Sequence, residues 1–208
     1  MSLFPDRLHD DAGQYAKSYF AQLFEASASV NADAIALAAD LLIETARSGM
    51  KIFSCGNGGS AAIANHLVCD CMKGVRTGSN LAPRVVSLSS NIEIITAIAN
   101  DIGIEDIFSY QIQSLGKPGD LLVAISSSGA SPNIISALTA ATSMGIRTIA
   151  MTGFTGGKSR NLADVELHVD ARNYGVVEDT HQSIMHILAQ YMRHAHLKQP
   201  DRLGEVTF

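Results

Sequence analysis

The 208-residue sequence has no tryptophan, only three cysteines and few charged residues, 17% of the total. Cys55, Cys69 and Cys71 are an odd number at spacings that do not suit a disulfide framework, which indicates a reduced cytoplasmic protein. No apolar run reaches about 18 residues, so we expect no segment to span a membrane. The N-terminus has no apolar core of the signal-peptide kind.

Runs of basic residues are also absent. Lys and Arg total 15 and Asp and Glu total 20, which gives a formal net charge of −5. This charge balance argues against binding to a nucleic-acid backbone as the main function. Apolar residues make up 47% of the chain, enough to bury a sizeable core, and the length suits one domain.

Helical and strand patterns alternate along the chain. The segments 11–29 and 31–48 read as helices of an N-terminal arm, about 10–48, and an α/β core follows from about 50 to 196. Short apolar strands are expected at 51–54, 84–88, 120–125, 147–151 and 165–169. Helices are expected between them at 60–73, 91–99, 105–114 and 131–143, and a last helix at about 178–196. Repeated strand–loop–helix units predict a parallel sheet with helices on both faces.

Two glycine-rich segments resemble nucleotide-binding motifs but lack an essential part. The segment 56–61, G-N-G-G-S-A, matches the loose dinucleotide pattern, yet no acidic residue that could hold a ribose ends the next strand, at 84–88. The segment 153–159 resembles a P-loop, but its first glycine is one residue too close to the G-K pair. We therefore expect no nucleotide cofactor.

A serine-rich loop after the strand at 120–125 is the stronger signal. Ser131 is a suitable N-cap and Pro132 suits the first position of a helix. Free N–H groups at a helix start attract an anion, and hydroxyl groups can surround it. The alternative is a serine-rich turn with an ordinary cap. The loop has no basic residue, so we predict a phosphate held by amides and hydroxyls, with four serines as candidates: Ser126, Ser127, Ser128 and Ser131.

Five motifs in a fixed order resemble the SIS (sugar isomerase) domain family. They are C-G-N-G-G-S at 55–60, A-N-D at 99–101, I-S-S-S-G-A-S at 125–131, the glycines of 153–157, and E-x-x-H-x-x-x-x-H at 178–186. The resemblance extends from about residue 15 to 196. It is greatest to the sedoheptulose-7-phosphate isomerase branch of the family.

The resemblance implies a three-layer flavodoxin-like sheet and a homotetramer with active sites between subunits. It also implies conversion of sedoheptulose 7-phosphate to D-glycero-D-manno-heptose 7-phosphate, the first step towards the activated heptose of lipopolysaccharide or capsule. The phosphate of this phosphorylated sugar would lie among the four serines, with Ser60 nearby. The other substrate-binding positions that it implies are Asn57, Gly58, Asn100, Asp101 and Glu178.

Residue spacing raises the question of a metal. His66 and Asp70 share one helical face, and Glu178 and His186, eight residues apart, lie on roughly one side of the last helix. A carboxylate and an imidazole from each of two helices can form a four-ligand zinc site. Zinc-binding family members use His, Glu, Gln and His here, so Asp70 and Glu178 depart from the pattern. Cys69, beside Asp70, is an alternative, softer ligand.

The resemblance assigns proton transfer through an enediol to Asp70 and His186 and leaves open which is the base. A tight metal ligand is not also a free base, so the catalytic and zinc assignments compete. His181 is expected to form a hydrogen bond near the site entrance. Four further histidines are expected on the surface: His9, His168, His194 and His196.

Two non-catalytic functions remain as alternatives. One is a SIS protein that binds the replication initiator, a branch with a similar T-A-I-A-N-D run, here at 96–101. The presence of His66 and His186 argues against it. The other is a sugar-phosphate-sensing regulatory domain, which usually has an attached DNA-binding segment, and 208 residues leave no room for one.

Overall fold

The sheet has five parallel strands in a computed structural model that describes residues 3–205 and 207. The strands are β1 (Lys51–Gly56), β2 (Arg84–Ser87), β3 (Leu121–Ser126), β4 (Arg147–Thr152) and β5 (Val165–His168). Their order is β2-β1-β3-β4-β5. This order places the direction change between β1 and β3 and is the flavodoxin-like arrangement. The predicted fold class is confirmed.

Seven α-helices accompany the sheet in the described residues. They are α1 (Ala12–Ala28), α2 (Ala32–Arg47), α3 (Gly59–Cys69), α4 (Ile92–Asp101), α5 (Ser109–Leu115), α6 (Pro132–Ser143) and α7 (Tyr174–Ala195). Short 3-10 turns lie at Ile104–Asp106, Ser159–Asn161 and Pro200–Arg202. No single described helix is long and apolar enough to cross a membrane, although α1 and α2 pass that test as a pair bent by 71°.

Two helix boundaries differ from the sequence prediction in ways that matter for the site. The helix expected at 60–73 changes at Asp70 into a π-helix, Asp70–Val75. The last helix begins at Tyr174, one turn earlier than expected, because the Asn173 side chain accepts a hydrogen bond from the Val176 N–H and caps it.

Strand β3 separates two hydrophobic clusters, one on each face of the sheet. Leu121 and Val123 pack with α2, α3 and α7, whereas Leu122 and Ala124 pack with α4, α5 and α6. Successive side chains of a strand point to opposite faces, so a strand buried on both faces is apolar throughout. The result is the predicted three-layer domain.

Large apolar side chains are exposed on α1 and α7. Phe20 and Phe24 of α1 are 66% and 76% exposed. In α7, Ile187 and Tyr191 are about half exposed, whereas Ile184 and Leu188 are buried. Exposed apolar surface of this kind is typical of a subunit interface, in keeping with the homotetramer that remains a prediction.

Two histidines contact the end of β4 inside the protein. His181 is fully buried and its Nε2–H donates to the Thr152 carbonyl oxygen at 3.1 Å. His168 is partly buried, with Nδ1 2.9 Å from the Thr152 hydroxyl oxygen. The predictions of an entrance position for His181 and a surface position for His168 were therefore wrong. Burial lowers the pKa of His181 to about 4.

We expect the stability of the fold to decrease as the pH falls below about 6.5, the ordinary pKa of histidine. His181 takes up a proton there in the unfolded chain, but in the folded protein only near pH 4. Its contribution is complete above pH 6.5 and falls by about 2 kcal/mol between pH 7 and pH 5. Chemical denaturation of wild type and His181→Gln at both pH values measures this. The variant cannot titrate at this position and should lose less stability; an equal loss would refute the assignment.

Candidate active site

A pocket at the carboxyl ends of β1 and β3 contains all the serines predicted to hold phosphate. We call it the serine pocket. It is lined by Asn57, Ser60, Ile125, Ser126, Ser127, Ser128, Ser131, Tyr174 and Glu178. Ligands of open parallel sheets bind outside the carboxyl ends of the strands, at the switch in strand order, and the serine pocket occupies that place.

The hydroxyl groups of the serine loop are only partly used by the protein. Ser126 Oγ accepts from the Gly129 N–H at 3.2 Å and lies 3.4 Å from Ser131 Oγ. Ser131 is the N-cap of α6, as predicted, but its side chain makes no capping hydrogen bond. Ser127 Oγ is buried without a hydrogen-bond partner among the described residues. A buried hydroxyl without a partner is unfavourable, so an anion in the pocket would satisfy it.

The P-loop-like segment at 153–159 supports the serine loop. The Gly153 N–H donates to the Ser127 carbonyl at 2.8 Å, and the Ser159 N–H donates to the Gly129 carbonyl at 3.0 Å. Gly129 has φ +64°, and a Cβ there would overlap the backbone of Gly156. The two loops therefore fix each other's backbone.

The glycine turn after β1 forms the other wall of the serine pocket. Asn57 and Asn133 exchange two amide hydrogen bonds, both 2.9 Å, and so connect this turn to α6. Gly58 has φ +53°, which favours glycine. A Cβ on Gly59 would overlap the Glu178 carboxylate. Asn133 was not predicted from the sequence because nothing in its local pattern distinguishes it from an ordinary first-turn residue.

Asn100 and Asp101 lie elsewhere in the protomer. Both are exposed at the end of α4, where the Asn100 side chain donates to Asp101 Oδ1 at 2.6 Å. Neither residue lines the serine pocket. Their predicted contact with the substrate would need a neighbouring subunit, and it remains a prediction.

A second cluster combines α3, the π-helix and α7. The ligand atoms of His66, Asp70 and His186 all lie within 4.8 Å of one another, and we call these residues the histidine cluster. His66 Nε2 is 3.2 Å from Asp70 Oδ1, and His186 Nε2 is 3.7 Å from Asp70 Oδ2. Both histidine side chains are more than 40% exposed. Asp70 and His186 line a cavity of about 370 Å³ between the π-helix and α7.

The histidine cluster differs from the predicted four-ligand set at one position. Glu178 is not part of it; this residue lines the serine pocket, and burial, followed by the nearby Asp179, raises its pKa. The amide of Gln182 is present instead, with Nε2 3.0 Å from His66 Nδ1 and 3.0 Å from His186 Nε2. Gln182 was not predicted from the sequence, although its i, i+4 spacing from His186 was a usable signal.

Comparison with known proteins places these features in one family. The model of the SIS domain family matches residues 14–153. A phosphoheptose isomerase of Nitratidesulfovibrio vulgaris (strain DSM 19637 / Miyazaki F) is 41% identical over 174 residues, which are 84% of this chain and 83% of that protein. A probable phosphoheptose isomerase of Thermoplasma acidophilum is 37% identical over 83% of this chain and 94% of that protein.

Solved structures give the same result for the fold. The phosphoheptose isomerase GmhA from Neisseria gonorrhoeae has a TM-score of 0.80 and 32% identity, and the match covers 88% of this chain and 98% of that one. The Vibrio vulnificus NanR protein complexed with ManNAc-6P has a TM-score of 0.69 with only 15% identity, over 94% of this chain and 67% of that one. The second likeness concerns the fold alone.

Proposed function

The chain belongs to the SIS domain family, and we infer from this membership and from its site that it is an aldose–ketose isomerase. Its substrate is sedoheptulose 7-phosphate and its product D-glycero-D-manno-heptose 7-phosphate, the start of activated-heptose synthesis for lipopolysaccharide or capsule. The observation that carries this proposal is the convergence of His66, Asp70 and His186, from two distant parts of the chain, beside a cavity. The relatives named phosphoheptose isomerase support it.

The residues assigned to the substrate occupy two places in one protomer. Glu178, in the serine pocket, and His186, in the histidine cluster, are about 12 Å apart along α7. The pockets share no lining residue, and Asn100 and Asp101 reach neither. We therefore propose a homotetramer in which serine pocket and histidine cluster of neighbouring subunits form one active site.

The reaction needs one base and one acid near C1 and C2 of the open-chain ketose. The base takes the C1 proton while the acid protonates the C2 carbonyl oxygen, which gives an enediol. The O1 proton then leaves and a proton is returned to C2, so the aldose forms with no net gain or loss of protons. Asp70 and His186 take these two roles, with their O and N atoms 3.7 Å apart.

The histidine cluster also fits a zinc ion. Its two imidazoles and one carboxylate are ligand types that zinc prefers. His66, Asp70 and His186 would hold the ion, and in that state Asp70 and His186 would not be free to act as acid and base. Zinc, when bound, polarises a carbonyl group as a Lewis acid.

Turnover of sedoheptulose 7-phosphate by the purified protein tests the proposed function. The aldose product should appear with the metal-stripped protein if Asp70 and His186 transfer the protons, and only with the metal-loaded protein if the reaction needs the ion. Fructose 6-phosphate serves as the comparison ketose. A folded protein that turns over neither compound in either state would contradict an enzymatic function. That outcome would favour the alternative, a non-catalytic SIS protein. The isomerase relatives and the histidine cluster argue against that alternative.

We expect Ser128→Ala and Ser131→Ala each to weaken phosphate-ester binding by about 1–2 kcal/mol, the scale of one hydrogen bond to a charged group. Both residues line the serine pocket, and the Ser131 side chain makes no capping hydrogen bond. Calorimetric titration with substrate and with inorganic phosphate measures the loss. Ser143→Ala, at the far end of α6, is the control. Unchanged affinity in both pocket variants would exclude this loop as the phosphate site.

A further inference from the structure

We propose that Gln182 completes the histidine cluster as its fourth member and, with zinc bound, as its fourth protein ligand. Glu178, the residue at the position that spacing and resemblance assigned to this role, instead serves the serine pocket. The inference rests on the zinc site of the proposed function but concerns metal binding, which is measured without the reaction.

The distances around Gln182 suit a tetrahedral ion. Ligand atoms at about 2.0–2.1 Å from zinc stand roughly 3.3 Å apart. The Gln182 amide nitrogen is 3.0 Å from His66 Nδ1 and from His186 Nε2, and His186 Nε2 is 3.7 Å from Asp70 Oδ2. A half-turn of the amide exchanges its nitrogen and oxygen, so Oε1 can occupy the same place. Three ligand-to-ligand separations thus lie close to the tetrahedral value.

The remaining carboxylate oxygen has a supporting role. Asp70 Oδ1 lies 3.2 Å from His66 Nε2 and can accept a hydrogen bond from its N–H. That bond leaves His66 Nδ1 unprotonated and directed to Gln182 and the ion, with Asp70 Oδ2 available as a ligand. A carboxylate that orients a ligating imidazole in this way is common at zinc sites.

Helix geometry explains why Gln182 and not Glu178 is present. Gln182 and His186, like His66 and Asp70, are an i, i+4 pair, so each helix presents two side chains from one face. Glu178 lies one turn further back, about 6 Å along the axis from Gln182. Its carboxylate lies against Gly59 at the start of α3. An amide in place of a carboxylate also removes one negative charge from the ligand set.

Cobalt binding tests the assignment in the full-length protein. After treatment with a chelator, wild type, Gln182→Leu, Gln182→Glu and Glu178→Gln are titrated with Co²⁺ and followed by visible absorbance, and Zn²⁺ competition gives its affinity. We expect wild type and Glu178→Gln to bind one ion per protomer with the same four-coordinate spectrum. Gln182→Leu should bind more than about 100-fold more weakly, beyond the loss usual for a residue that only orients the ligands, and with an altered spectrum. Gln182→Glu should retain binding because a carboxylate oxygen can occupy the place of Oε1.

Three results would overturn the proposal: wild type without metal affinity, Gln182→Leu with wild-type affinity and spectrum, or loss of binding in Glu178→Gln. An equally weak metal affinity in Gln182→Glu and Gln182→Leu would also overturn the proposal. That result would mean that Gln182 only donates hydrogen bonds to the imidazoles. Melting temperature and sedimentation confirm folding, and Gln182→Met replaces Gln182→Leu if the latter is unfolded. Failure of the proposed function would appear separately, as a metal-binding protein without turnover.

Discussion

Replacement of His186 with asparagine is expected to lower kcat by roughly 10²–10⁴-fold, the range for a lost general acid or base. The imidazole lies at the rim of the cavity, partly exposed and close to the Asp70 carboxylate. The serine pocket is about 12 Å away along α7, so affinity for inorganic phosphate should not change. Steady-state kinetics, phosphate titration and the melting temperature measured on one preparation separate these effects.

His194→Asn, an exposed change two turns further along the same helix, is the matched control and should keep wild-type kcat. If His186 acts only as a metal ligand, the His186→Asn protein should lose metal, and added zinc should restore part of the rate. Turnover of His186→Asn close to that of wild type would remove His186 from the reaction altogether.

Two variants impaired in different parts of the site are expected to restore each other's activity when their subunits are mixed. A Ser128→Ala/Ser131→Ala protein has an intact histidine cluster, and His186→Asn has an intact serine pocket. If neighbouring subunits share each active site, random mixing in a symmetric tetramer gives about a quarter of wild-type sites. Activity should therefore rise well above that of either variant alone.

The measurement requires subunit exchange by reversible unfolding, with sedimentation to show a tetramer near four times 22.0 kDa. Each variant refolded alone is the control. No recovery in mixed tetramers would place the whole active site within one protomer. An active monomer would exclude both the assembly and the shared site.

Features determined by neighbouring residues were predictable from the sequence. The continuous apolar run from Leu121 to Ile125 predicted a buried parallel strand, and Ser131-Pro132 predicted the start of α6. The position of the serine loop between β3 and α6 could therefore be predicted without knowing which residues pack against it. The order of the strands followed only from the family resemblance, because parallel pairing leaves no local signal.

Features that depend on how helices align were not predictable. Gln182 joins the histidine cluster because α3 and α7 lie side by side, so that two i, i+4 pairs face each other. His181 looks like a site residue in the sequence, but the rotation of α7 about its axis buries it against Thr152. The π-helix that begins at Asp70 could not be predicted either, because its wider hydrogen-bond spacing has no residue-level signal in this segment.

Because Gly59 contacts Glu178, a substitution at position 59, which does not line the serine pocket, can move a negative charge within it. Gly59 begins α3 without a left-handed backbone, so alanine is conformationally permitted there. The added methyl group would overlap the Glu178 carboxylate and displace that side chain. No residue that lines the serine pocket would be replaced. Residues 59 and 178 are therefore expected to vary together: a larger residue at position 59 requires a shorter side chain at position 178.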